Sequence, residues 1–322
     1  MCTAVSLIGK RHLFGRTLDL ECSCGESVAV LPLGHRYSFL HEGTVEGKYS
    51  VVGMAHTKMG VPLYYDGMNG AGVAIAALNF PHSAAYFPVR SDMRNLAAFE
   101  VIPWVLSQCE SVADAVGLLE GVNITDESFD RSLPVTPLHW MISDKSCSVA
   151  VEPLASGLSV RDNTLGVMTN SPELEHHLCR AAELMHLSPG SPRNTLAPDV
   201  ELDEFSRGLG AYGLPGDFSS TSRFVRAVFA KNHTRVGVCD DVERFFHVMD
   251  TVSVPLGAIV TRKDAAVCTV YTSCMDTESG IYYFTTYKNR RIRAVRASNA
   301  LDCGAEMATY SIERDADVEF LV

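Results

Sequence analysis

Cys2 directly follows the initiator Met1. A small second residue generally lets the methionine be removed, which leaves a cysteine carrying both a thiol and a free α-amino group. A thiol pKa of ~8.5 and an α-amine pKa of ~7.7–8.0 allow the amine to accept the thiol proton near neutral pH, so nucleophile and base share one residue and no histidine is needed. Many chains begin Met-Cys, so this chemistry rests on what accompanies it. The other nine cysteines are scattered, no CxxC occurs, and the close pair Cys22 and Cys24 lacks a second pair at zinc spacing. No metal site is expected, and most of the cysteines read as small buried hydrophobes.

The eleven histidines are dispersed. The adjacent His176 and His177 point apart on a helix and read as surface residues, and His139, in a strand between Leu138 and Trp140, reads as structural. Gly208 to Gly213 fits GxGxxG, but a charged segment precedes it and Pro215-Gly216-Asp217 follows it. A glycine-rich loop is expected there, without a dinucleotide. GxSxG, GxxxxGK[ST], HExxH and EF-hand patterns are absent, which removes the commonest hydrolase, nucleotide-binding, zinc-protease and calcium readings.

The elements that must position Cys2 alternate in type. The first ninety residues are strand-like, with apolar and β-branched runs at Val5–Ile8, Val28–Leu33, Tyr49–Ala55 and Val73–Leu78, punctuated by Gly9, Gly34, Gly60 and Asn69-Gly70. Leu96–Leu106 and Val112–Leu119 read as helices, the first bent or ended by Pro103, the second capped by Ser111. Strands follow at Leu138–Ser143 and Ser148–Val160. Helices follow at Pro172–Leu187, Ser220–Lys231 and Val242–Val252, the last opened by Asp240-Asp241. Val267–Thr272, Gly280–Tyr287 and Ile292–Ala297 are extended again. Strands in local hairpins alternating with blocks of helices predict an α+β class with antiparallel sheets covered by helices. A four-layer αββα sandwich is one such arrangement, which the pattern alone does not select. No linker, charge block or repeat divides the chain, so 1–322 is expected to be a single domain.

Composition narrows the function. Of 322 residues, 47% are hydrophobic and 20% charged, enough apolar material for a large core, and the net charge is −11. That charge repels nucleic acid and anionic lipid, so neither is expected as a partner. The apolar run at the N-terminus is too short for a signal peptide and no stretch reaches the length of a membrane span, so a cytoplasmic location is expected.

The order of motifs adds a resemblance. The Met-Cys start, Phe14-Gly15-Arg16-Thr17-Leu18-Asp19, Ala76 to Pro81 (AALNFP), Leu138 to Asp144 (LHWMISD), Met168 to Pro172 (MTNSP), Gly213 to Asp217 (GLPGD) and Ser222 to Arg226 (SRFVR) resemble the choloylglycine hydrolase family, the bile salt hydrolases and penicillin V acylases. The similarity spans most of the chain in the right order. It implies an N-terminal nucleophile hydrolase with the four-layer αββα sandwich, cleaving linear amides without metal or organic cofactor. Cys2 matches the nucleophile, Asp19 the carboxylate beside the α-amino group, Arg16 and Arg223 the active-site arginines, and Asn79 and Asn170 the oxyanion positions. The chemistry is consistent: guanidinium groups favour thiolate, a carboxylate fixes a protonated amine, and amide N–H groups stabilise developing O⁻.

Taken singly, each of these residues has a plainer reading. Arg16 and Asp19 fall on opposite faces of a strand, so a bend or a neighbouring strand must bring both to Cys2. Asn79 and Asn170 suit turns before Pro81 and Pro172, and Arg223 suits a solvated helix face. The resemblance implies glycine- and taurine-conjugated bile salts as substrates, with Leu20, Met59, Val61, Leu63, Val135 and Leu138 in the pocket segments, and a homotetramer. Thr17, Cys24 and His82 depart from the family's usual Asn, aromatic and Gly, which bears on pocket shape. Penicillin V acylase or a related linear-amide acylase, amine N-acyltransfer from the acyl-enzyme, and a binding protein without turnover are the alternatives.

Overall fold

Two antiparallel sheets stack face to face, and each carries a layer of helices on its outer side. The computed structural model describes residues 1–235, 237–301 and 306–322; Cys303 lies outside the described residues. In chain order the first strands are β1 (Cys2–Ile8), β2 (His12–Leu20), β3 (Glu26–Leu31), β4 (Arg36–Phe39), β5 (Gly43–Glu46), β6 (Val51–Lys58), β7 (Val61–Asn69), β8 (Ala74–Asn79) and β9 (Arg94–Ala97). Helices α1 (Val101–Gln108) and α2 (Val112–Leu119) follow, then β10 (Val122–Thr125), β11 (Leu138–Ser143), β12 (Ser148–Leu154), β13 (Gly157–Asp162) and β14 (Val167–Met168). The second helical block is α3 (Leu174–Glu183), α4 (Ser220–His233) and α5 (Asp241–Asp250). It leads to β15 (Ile259–Val260), β16 (Ala266–Asp276), β17 (Ile281–Thr286), β18 (Arg293–Arg296), α6 (Ala297–Leu301) and β19 (Ala308–Ser311).

The first sheet has the order β14-β1-β2-β16-β17-β18, with β15 on β16, and the second runs β13-β12-β11-β8-β7-β6-β3-β19. Both faces of the second sheet are buried. Ala74, Ala76 and Leu78 point into the core between the sheets, whereas Val73, Ile75 and Ala77 point outward under α1 and α2. That is why this stretch reads as a continuous apolar run instead of alternating. Helices α3, α4 and α5 cover the outer face of the first sheet, with Phe224, Ala227, Phe245 and Met249 in the same core as β1 and β2.

Local signals set several boundaries. Ser111 caps α2 by accepting from the Asp114 N–H, and Asp240 opens α5 with a capping box to Glu243. Pro103 neither bends nor ends a helix. The segment expected to be helical from Leu96 begins as β9, and Pro103 sits in the first turn of α1, where its missing N–H costs nothing. The stretch Ser148–Val160 is a hairpin broken at Gly157, whose φ of 113° only glycine adopts readily. Gly208 to Gly213 forms a short 3₁₀ turn in a loop, as its flanks suggest.

Candidate active site

Register places the thiol. Cys2 pairs with Leu18 and Ala4 with Arg16, so the Cys2 and Arg16 side chains share the face of β1 and β2 that looks toward the second sheet. Both residues are buried, and the Arg16 guanidinium donates to the Cys2 sulfur. Its remaining donors are fixed by carbonyls: Nε to Thr17 at 3.0 Å, and Nη1 to Ala77 at 2.6 Å and Tyr65 at 3.3 Å. Burial opposes this charge most strongly, yet the sulfur, Asp66 and Asp19 together hold the guanidinium above its ordinary pKa.

Asp19 lies on the opposite face of β2, as the spacing implied. A bulge in β16 between Thr269 and Tyr271 sets Thr269 directly opposite it. The Asp19 carboxylate accepts from the Thr269 hydroxyl at 2.7 Å and the Thr17 hydroxyl at 3.3 Å, and lies 4.0 Å from Arg223. Burial raises its pKa, and Arg223 opposes the rise. Because Cys2 begins a strand, its thiol hangs from one face while its backbone nitrogen is reached from the other. One residue thus meets both faces of the sheet.

Arg223 reaches Cys2 from α4. Ser219 caps this helix, and Asp217 accepts from the Ser219 N–H at 2.8 Å and the Ser222 hydroxyl at 2.7 Å. The first turn is thereby fixed with Arg223 against β1, fully buried instead of solvated. Its guanidinium donates to the Cys2 carbonyl, to the Thr3 hydroxyl at 2.7 Å and to Asn170 Oδ1 at 2.7 Å. Burial lowers its pKa, and Asp19 and Cys2 counter this.

The short strand β14 pairs Met168 with Ala4, and the register continues so that Asn170 stands beside Cys2. Asn170 Oδ1 accepts from the Cys2 backbone N–H at 2.8 Å, and Nδ2 donates to the Asn79 carbonyl at 2.7 Å. The amide therefore faces the nitrogen of Cys2 with its acceptor, and its donor is already engaged. This differs from the oxyanion role expected for it. Asn79, at the end of β8, lines the cavity beside Cys2, and among the described residues its side chain makes no hydrogen bond.

Sequence reading missed the support behind Asn170. His177 is buried, not a surface residue. Its Nε2 donates to the Asn170 carbonyl at 2.9 Å, and the Ser220 hydroxyl accepts from the Asn170 N–H at 2.9 Å. Burial pushes the His177 imidazole down to about 4, so it is neutral. The carbonyl can only accept, so Nε2 carries the proton. His139 similarly donates to the Thr169 carbonyl at 2.9 Å and stacks on Phe80, with Glu152 3.6 Å from Nδ1. It is buried and has a charged neighbour, which the sequence did not reveal. The pattern of α3, apolar at Leu174 and Leu178, was the available signal that His177 faces inward.

Cys2 and Arg16 form the floor of a cavity of about 440 Å³, walled mainly by apolar and aromatic side chains from β7, α1 and the segment between β10 and β11. Leu20, Leu63, Val135 and Leu138 line it. Met59 and Val61 do not. They sit at the exposed tip of the β6–β7 hairpin, 84% and 44% exposed, where Met59 takes a left-handed φ of 52° in the turn. Among the described residues no cluster of His, Cys, Asp and Glu could hold a metal ion, and no helix is long and apolar enough to cross a membrane.

Residues 2–310 match the pattern of linear amide C-N hydrolases, choloylglycine hydrolase family. The chain is 35% identical over 318 residues to the bile salt hydrolase/transferase of Lactiplantibacillus plantarum, covering 98% of each chain. It is 33% identical to the bile salt hydrolase/transferase of Clostridium perfringens, covering 99% of each. Among solved structures, the C2A mutant of the conjugated bile acid hydrolase from Clostridium perfringens superposes over all of both chains with a TM-score of 0.92 at 33% identity. Penicillin V acylase from Agrobacterium tumefaciens shares the fold, with a TM-score of 0.73 over 92% of this chain and 86% of that one at 24% identity.

Proposed function

The chain belongs to the choloylglycine hydrolase family of linear amide C–N hydrolases and has the N-terminal nucleophile hydrolase fold, and from that premise we propose that it hydrolyses glycine- and taurine-conjugated bile salts through Cys2. The observation that carries the reading is one residue presenting its sulfur to Arg16 in an apolar cavity and its nitrogen to the Asn170, Asp19 and Arg223 cluster behind. Removal of Met1 turns that nitrogen into a primary amine. Relatives named as bile salt hydrolases match the chain over nearly its full length, and the cavity has the volume and apolar lining that a bulky acyl group requires.

In the first half-reaction the amine takes the thiol proton and the thiolate attacks the amide carbon. Charge develops on the carbonyl oxygen, and in this reading the side-chain amide of Asn79, which lines the cavity beside Cys2, donates to it. Collapse breaks the C–N bond, and the N-terminal ammonium gives its proton to the departing amine. In the second half-reaction the same amine draws a proton from water, hydroxide adds to the thioester, and the carboxylic acid leaves as thiol is restored. The residues supply nucleophile, base and charge stabilisation, so the proposal includes no metal or organic cofactor. An amine replacing water in the second half gives N-acyltransfer.

We read residues 1–322 as one domain, because the first sheet takes strands from both ends of the chain and β19 closes the second sheet on β3. A cytoplasmic location and a homotetramer complete the proposal. Its test joins intact-mass analysis of the N-terminus with product release from glycocholate, taurocholate and penicillin V by wild type and Cys2→Ala. Met1-free wild type releasing glycine or taurine, with no release by Cys2→Ala, is expected. Faster release of phenoxyacetate than of glycine or taurine would move the assignment to a penicillin V acylase. Turnover by Cys2→Ala would overturn the mechanism.

A further inference from the structure

Asp66 on β7 is fully buried between the two sheets and has no task in the steps above. Its Oδ1 accepts from the Tyr282 hydroxyl at 2.6 Å, and its Oδ2 accepts from the Tyr271 hydroxyl at 2.6 Å and the Ser273 hydroxyl at 3.4 Å. Two links run from this carboxylate to Arg16. The Ser273 hydroxyl also accepts from the Arg16 backbone N–H at 3.2 Å, and the adjoining Tyr65 carbonyl accepts from Arg16 Nη1.

Arg16 poses a charge problem that this arrangement answers. Its guanidinium is fully buried and bonded to carbonyls and to the sulfur, and among the described residues no carboxylate lies within 4.0 Å of it. A buried cation without a countercharge carries a large desolvation cost. The sulfur supplies negative charge only as thiolate; in a thioester it is neutral. We infer that Asp66 is a positioning residue, its carboxylate, braced by Tyr271 and Tyr282, being the standing countercharge that holds the Arg16 guanidinium aimed at the Cys2 sulfur when that sulfur is neutral. The inference rests on the reading of Cys2 as nucleophile.

The groups that face this pair are few. Arg16 is met by Cys2 from β1, Asp66 from β7, Tyr271 from β16 and Asp19 from its own strand, and Cys2 is met in addition by Arg223 from α4. Asp66 is met by Arg16, Tyr271 and Tyr282. Burial pushes the Asp66 carboxyl above its ordinary range, and Arg16 and the two tyrosines oppose the rise.

The test follows alkylation of Cys2 by iodoacetamide against pH in Met1-free enzyme, read by mass of the N-terminal peptide, for wild type, Asp66→Asn and Tyr282→Phe. Without the carboxylate Arg16 is no longer held against the sulfur and the thiolate loses its stabilisation, so the Asp66→Asn midpoint is expected at least about 0.5 pH unit above wild type. Tyr282→Phe is expected to shift in the same sense by less, with kcat lowered in both variants and KM unchanged. A midpoint for folded Asp66→Asn that coincides with or falls below the wild-type value overturns the inference. If Asp66→Asn does not fold, the same outcome for Tyr282→Phe does so. Alkylation is scored without substrate, so this result stands apart from the Cys2→Ala turnover test, which alone decides whether Cys2 is the nucleophile.

Discussion

Asn170 separates two roles that look alike in a loss-of-function experiment. Its Oδ1 accepts from the Cys2 nitrogen at 2.8 Å and from Arg223 at 2.7 Å, while Nδ2 is held by the Asn79 carbonyl. After removal of Met1 both donors to Oδ1 carry positive charge when the amine is protonated. Hydrogen bonds to charged groups contribute about 1.5–3 kcal/mol each, so Asn170→Ala forfeits roughly 3–6 kcal/mol of interaction at the amine and Arg223. At about 1.4 kcal/mol per tenfold, loss of half or more of that in the transition state lowers kcat by about 10–10⁴. Asn170→Asp discriminates. A carboxylate keeps an acceptor for both cations, so it is expected to recover at least about tenfold in kcat over Asn170→Ala, and the acid limb of the kcat profile is expected to move upward because the carboxylate favours ammonium. The assay is steady-state release of glycine from pH 4 to 9 on protein shown folded by thermal melting. An Asn170→Asp enzyme as slow as Asn170→Ala, or slower, refutes the acceptor role, since an oxyanion donor replaced by a carboxylate would give that result.

Two predictions concern stability. His12 is buried among the Ser6, Ser143 and Thr277 hydroxyls, and burial pushes it down to about 4, as it does His177. The unfolded chain binds these protons first, so each histidine's contribution is complete above its unfolded pKa and is lost as pH falls from about 6.5 to 4, amounting to up to ~3 kcal/mol apiece. Chemical denaturation is expected to show stability declining across that window and a shallower decline in His12→Gln; identical slopes would refute the assignment. Gly15→Ala places a Cβ 2.0 Å from the Ser273 carbonyl oxygen, against backbone that cannot swing aside. A loss of at least about 2 kcal/mol is expected by denaturant unfolding, and a neutral variant would show that β2 and β16 do not approach so closely.

Legibility followed the range of the interaction. The runs at Val28, Val73 and Leu138, the Ser111 and Asp240 caps and the helices over 112–119 and 220–231 were readable because periodicity and capping act within a few residues. Helix starts near Leu96 and Pro172 were misplaced, since there the apolar pattern suits a strand or loop as well as a helix. The pocket shows the same limit: Leu20, Leu63, Val135 and Leu138 were found, but Met59 and Val61 extend past its rim at a hairpin tip. Strand alternation gives the face of a residue and not its height above the floor.

The sequence by itself determined that residue 2 unites a thiol with a prospective amine, and that Arg16 and Asp19 occupy opposite faces of one strand, because these facts follow from covalent chemistry and the period of a β-strand. Only the tertiary structure decided that β1 lies between β2 and β14, that a bulge beyond Thr269 aligns its hydroxyl with Asp19, that Asn170 turns its acceptor to Cys2, that His177 is buried against the Asn170 carbonyl, and that Asp66 is buried beside Tyr271 and Tyr282. Each of these depends on the register between strands dozens to hundreds of residues apart. Register is set by the joint packing of two sheets and the helices that cover them, a balance that no local window of residues contains.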